Sequence, residues 1–112
     1  MNAEEFLESG EENLIKERYN ASVSDFFKAI VIFCDYLIYR EFKIKPKNHN
    51  DRFNLLNSYF SDIYREVSDL FRTYTESYNL RMNKEDAEKV RIYAHEIRNF
   101  VKSKEGFKRI IK

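Results

Sequence analysis

The sequence predicts an all-α fold, an antiparallel bundle of four to five helices. Three observations carry that reading. Two glycines and one proline in 112 residues are too few for the turns of a β-sandwich or barrel. Apolar residues recur at steps of three and four along most of the chain, the period of one helix face. Ten Phe and eight Tyr supply enough apolar mass for a core, so disorder is not expected even at 35% charged residues. The length suits a single helical domain over residues 1–112.

The first helix is expected from about Ala3 to Glu17. The second runs from about Ala21 to Phe42, with Asn20 or Ser22 offering a capping oxygen. Val23, Phe26, Phe27, Ile30, Val31, Cys34, Leu37 and Ile38 form its apolar stripe, which Phe33 and Tyr36 widen. So broad a stripe marks a central helix with neighbours on two sides. "KIKPKNHND" holds Pro46 and is the main loop. A shorter helix follows from about Asp51 to Tyr59, capped by Asn48 or Asn50. Ser61 or Asp62 is expected to cap the fourth, which continues to about Tyr78. Its Ile63, Tyr64, Val67, Leu70, Phe71, Tyr74 and Tyr78 share one arc, opposite a charged face of Arg65, Asp69, Arg72 and Glu76. Asn83 opens the last helix, with Glu85 and Asp86 at its positive end. Ala87, Val90, Ala94, Ile97 and Val101 form its seam, and residues 103–112 read as a tail that frays or docks on a partner.

Composition narrows the function classes. A net charge of +1 provides no global field for a nucleic-acid backbone, so any such contact needs a local patch. Cys34 has no second cysteine to pair with, and one Cys with two His makes no usual zinc site, so neither a metal nor a cofactor is expected. His49 with Asp51 lacks further ligands nearby. Cys34 sits in an apolar run beside Asp35, a poor setting for a reactive thiolate. The acidic N-terminus is not a signal peptide, no stretch is long enough to span a membrane, and a cytoplasmic setting is expected.

With the helices placed, their order resembles a HEPN domain (higher eukaryotes and prokaryotes nucleotide-binding) of the small stand-alone type. The likeness covers nearly the whole chain. It rests on "RYNASVSDFFKAIVIFCDYLIYR" leading into a long apolar helix, on "NHNDRFNLL" opening the third, and on "IYREVSDLFRTYTESYNLRMNKEDAEKVRIYAHEIRNF" closing the bundle. The resemblance implies an antiparallel HEPN-like bundle, often a homodimer. It further implies pairing with a minimal nucleotidyltransferase in toxin–antitoxin-like or stress-response systems.

Family members that cleave RNA carry an arginine and, after about four to six residues, a histidine. The imidazole moves protons at the ribose while the arginine holds phosphate charge. The matching arginine here is Arg72, and Ser77, Tyr78 and Asn79 stand where the histidine belongs. Tyrosine, with an ordinary pKa of ~10, is a poor base. The motif is broken.

Other candidates remain. Arg91 and His95 are too closely spaced for the motif, but with Lys84, Arg98 and Lys102 they make a cationic stripe: an anion-binding ridge or a solvated surface. His49 with Arg52 is either a second site or a loop histidine fixing the start of the third helix. Tyr74 and Tyr78 are expected to pack, in the core or across a dimer.

Two functions compete. The first is a non-catalytic binding module, a homodimer that engages a nucleotide or a nucleotidyltransferase partner through Arg72, Ser77, Tyr78, Lys84, Arg91, His95 and Arg98. The second is a metal-independent endoribonuclease with Arg72 as phosphate clamp and Tyr78, His95 or His49 carrying the proton. A plain structural dimer is a third possibility.

Overall fold

The structure, a computed structural model, describes the backbone of residues 2–111 and the side chains of residues 2–103. Among the described residues it contains helices and no strand: α1 Ala3–Ile15, α2 Tyr19–Phe42, α3 His49–Tyr59, α4 Ser61–Glu76 and α5 Lys84–Ile111. The all-α bundle expected from the sequence is what forms.

α2 is the central helix, packed against α1, α3, α4 and α5. Its Val23, Phe26, Phe27, Ile30, Cys34, Leu37 and Ile38 are each at most 1% exposed. Around them close Leu7 of α1, Leu56 of α3, Val67 and Leu70 of α4, and Ala87, Val90, Ala94, Ile97 and Val101 of α5. Apart from Leu37, buried outside it, these residues form one cluster; of the expected stripe of α2, Val31 is half-buried and Tyr36, expected to widen it, is exposed.

The helix ends depart from expectation in instructive ways. α1 stops at Ile15, because Glu17 adopts the left-handed conformation at φ 60°. The Glu17 N–H donates to the Leu14 carbonyl at 3.1 Å and the Arg18 N–H to the Asn13 carbonyl at 2.8 Å. That crossed pair is a Schellman stop, with glutamate where glycine is usual. α2 then begins at Tyr19, and neither Asn20 nor Ser22 caps it. Ser22 is buried and donates its hydroxyl to the Gly10 carbonyl at 3.0 Å, while Asn20 reaches across the fold to the α4–α5 connection. α3 starts two residues early, and Asn48 caps it by accepting from the Asp51 N–H at 2.8 Å.

No side chain caps α4, where Ser61 or Asp62 was expected to. That helix ends at Glu76, so Tyr78 lies in the following turn rather than on the apolar arc, and it is 67% exposed. Asn83 does open α5: its Oδ1 accepts from the Asp86 N–H at 2.9 Å, and its N–H donates to Asp86 Oδ2 at 3.0 Å. The backbone of α5 runs on to Ile111, and the expectation that the tail at 103–112 frays or docks on a partner falls, beyond Ser103, on side chains outside those described. No helix among the described residues is long and apolar enough to cross a membrane.

Candidate binding site

The cationic stripe of α5 faces the carboxylates of α1. Arg91 Nε donates to Glu11 and lies 2.8 Å from its Oε2, and Arg98 Nε donates to Glu4 Oε1 at 2.8 Å. Glu4 and Glu11 are separated by seven residues, as are Arg91 and Arg98, so two turns of one helix match two turns of an antiparallel neighbour. Lys102 Nζ stands 3.6 Å from Glu4. Arg98 beside it, mainly through this hydrogen bond, holds the Glu4 carboxyl below its usual range. His95 Nε2 is shielded from solvent without a hydrogen-bond partner, 3.9 Å from Glu11. The stripe is thus an ion-paired seam between two helices rather than an open ridge. Lys84, at its far end, is exposed.

The stretch around Arg72 is not assembled into a cleft with a histidine. Arg72 is solvent-exposed and its guanidinium is taken by Asp69, one turn back, at 2.5 Å. Ser77 is buried and donates its hydroxyl to the Tyr74 carbonyl at 2.6 Å. The Tyr74 and Tyr78 hydroxyls share a hydrogen bond at 2.6 Å. Tyr74 packs as expected, its ring stacked on Phe27 at 4.7 Å between centroids. Burial and the Tyr78 hydroxyl together raise its pKa.

The remaining histidine lies in a built site. A cleft of about 400 Å³ opens between α1, α2, the start of α3 and α4. Phe6, Phe27, Val31, Ile32 and Tyr74 form its apolar lining, and Lys28, Asn48, His49 and Arg52 supply its polar groups. Arg52 anchors these. It is 8% exposed, and it grips Asp35 of α2 with two prongs, Nε to Oδ1 at 2.6 Å and NH2 to Oδ2 at 2.8 Å. Its third arm, NH1, lies 2.8 Å from His49 Nδ1. A guanidinium only donates, so Nδ1 must be the acceptor, and the neutral imidazole carries its proton on Nε2. Burial first, then the charge of Arg52, lowers the His49 pKa, partly offset by Asp35. The sequence signal for this cluster was Asp35, a lone carboxylate in the run "AIVIFCDYLIY"; a half-buried charge there requires a partner. Neither Asp35 nor Lys28 had been singled out as part of a site.

Chemically the cleft is a hydrogen-bond donor surface. His49 has no free lone pair with which to accept a proton while Arg52 holds Nδ1. Cys34, behind it in the core, is fully buried, and burial with Asp35 alongside pushes its thiol up to about 12 against the opposing pull of Arg52. Among the described residues no group of three or more His, Cys, Asp or Glu is arranged to hold a metal. Compared with known protein families, curated proteins and solved structures, the chain finds no significant match in any of the three.

Proposed function

We propose that the chain is a non-catalytic binding and assembly module, HEPN-like in the order of its helices, which engages a nucleotide-class ligand or a nucleotidyltransferase partner as a homodimer. The observation that carries the reading is the state of the two imidazoles. His49 accepts from Arg52 through Nδ1 and His95 Nε2 is shielded beside Glu11. A proton carrier that acts as base in RNA cleavage needs an imidazole with an open lone pair beside the arginine that holds the phosphate. Arg72, the arginine that the family pattern would use, has Asp69 rather than a histidine beside it. For assembly the reading draws on Tyr78 and Leu80, both exposed in the connection between α4 and α5, as apolar side chains that a partner would cover.

The test has two arms. Sedimentation and co-expression with a small nucleotidyltransferase read assembly; a dimer or a stable complex is expected. A panel of RNAs at high protein concentration reads turnover, and intact RNA is expected. Products ending in 2′,3′-cyclic phosphate, lost in Arg72→Ala or His95→Ala, would overturn the reading in favour of the endoribonuclease.

A further inference from the structure

The cleft carries a chemical selectivity of its own. No carboxylate is among its described lining residues; Asp35 stands behind Arg52, which covers it with a two-pronged pair. The polar side chains on the rim are instead a cation and donors. Lys28 is exposed and, among the described residues, has no carboxylate within 4.0 Å; its ammonium lies over the Phe6 ring, 5.7 Å from the centroid. His49 is held as the Nε2–H tautomer by Arg52. Three of the five guanidinium N–H groups of Arg52 are committed to Asp35 and His49, which leaves two.

The lining beneath is apolar and partly aromatic. Tyr74 is stacked on the buried Phe27 with 17° between their planes, and Phe6, Val31 and Ile32 complete the wall. A volume of about 400 Å³ is within the range of small-molecule sites, ~300–1,000 Å³, and an apolar body with a few placed polar groups is their usual make-up. Since Arg91, Arg98 and Lys102 are occupied by α1 carboxylates, the described stripe of α5 is not a track of free cations for a polyanion. The site matches one charge attached to one ring.

We propose that this cleft binds a small aromatic anion, its carboxylate or phosphate between the Lys28 ammonium and the His49 Nε2–H and its ring against the half-buried Tyr74 and Phe6. The proposal deepens the binding-module reading and rests on it. A carboxylate and a phosphate share the recognition chemistry, and the experiment separates them.

The protein carries no Trp and eight Tyr, so amide chemical shifts are the cleaner readout. Indole-3-acetate and adenosine monophosphate are titrated into the isotope-labelled chain, with indole and adenosine as their uncharged counterparts. The expected result is that one anion binds about tenfold more tightly than its neutral counterpart, the worth of one charge-assisted hydrogen bond. Its shifts should map to residues around Lys28, His49 and Tyr74. Preference for indole-3-acetate assigns a carboxylate ligand, and preference for the nucleotide a phosphate. Lys28→Glu, an exposed change whose helicity and melting are checked alongside, should abolish the discrimination. Equal binding of charged and neutral probes, shifts that map to α5 instead, or a Lys28→Glu variant that binds unchanged would each overturn the site. Adenosine monophosphate bound elsewhere removes this site and leaves the binding-module reading standing, whereas RNA cleavage removes that reading itself.

Discussion

Gly10 and Phe26 meet where α1 crosses α2: a Cβ built on the glycine would stand 2.8 Å from the Phe26 ring. Three ring atoms lie within 2.9 Å of that position, and Phe26 is fully buried with nowhere to swing. The glycine is therefore a packing residue. The Ser22 hydroxyl, donating to the Gly10 carbonyl, fixes the same crossing.

Gly10→Ala should accordingly destabilise the fold although alanine is the better helix former by about 1 kcal/mol. Overpacking of this kind costs about 1–3 kcal/mol, so a net loss is expected in urea unfolding. A variant as stable as the parent would mean that the two helices slide apart at little cost.

Asn20 is the residue that ties the start of α2 to the connection between α4 and α5. Its amide N–H groups donate to the Ser77 and Leu80 carbonyls at 2.7 and 2.8 Å, and its Oδ1 accepts from the Met82 N–H at 2.8 Å. Asn20→Asp keeps the acceptor but turns negative oxygens on two carbonyls, so it should be worse than Asn20→Ala. Each lost bond is worth roughly 1 kcal/mol, which puts the alanine variant at a loss of about 2–3 kcal/mol. Hydrogen exchange in the α4–α5 connection should rise in both variants, and the order of the two decides the matter.

Arg52 and Asp35 bind α3 to α2. Removing one partner of a buried pair strands the other charge and costs about 3–5 kcal/mol; removing both is far milder. Asp35 retains 34% of its side-chain exposure, so solvent screens it and a loss at or below the low end of that range is expected. Asp35→Ala and Arg52→Met should each destabilise by about 2–3 kcal/mol, and the double variant by less than their sum. Additive losses in a double-mutant cycle would show that the pair is not coupled.

These relationships explain how far the sequence could be read. A helical period is a local property, so the seam of α5 and the stripe of α2 were legible from Ala87, Val90, Val23 and Phe26 alone. Asn83 was recognisable as a cap because its partner, Asp86, is three residues away. Asn20 was not, because its partners are 57 to 62 residues away and a polar residue at the head of a helix looks the same in either role. The end of α1 was hidden for another reason: glutamate at φ 60° stands where the usual stop signal is glycine. The stripe from Arg91 to Lys102 was visible, but its meaning was not. Whether cations face solvent or Glu4 and Glu11 depends on where α1 lies, and no window of α5 contains that.

Cys34 tests the core directly. It is fully buried with its thiol pushed up to about 12, so both access and thiolate fraction are low at neutral pH. The native protein should resist thiol-reactive disulfide reagents at pH 8 and react fully once unfolded in guanidinium. Rapid reaction of the folded chain would contradict the packing of α2.

His49 predicts a pH dependence whose direction follows from its environment. Burial and the Arg52 charge lower its pKa on folding, with Asp35 opposing, below an unfolded value of ~6.5. In the window between the two values the unfolded chain binds more protons than the folded one, so stability rises with pH there. The contribution is complete above the unfolded value and is lost as pH falls toward the folded one. Protonation also abolishes the acceptor at Nδ1 and sets an imidazolium against the Arg52 guanidinium, 2.8 Å away in the neutral state. His49→Gln, which keeps a polar side chain that does not titrate, should flatten the loss of stability between pH 6.5 and the lower folded value while leaving the acid limb due to carboxylates. Glu4, with its lowered pKa, governs part of that limb: its stabilisation holds above the ordinary carboxylate range and fades as pH drops through the lowered value. Melting curves of the parent and His49→Gln from pH 7.5 to about 3 separate the two. Parallel curves throughout would mean that the His49 pKa is the same in the folded and unfolded chain and that Arg52 does not control the ring.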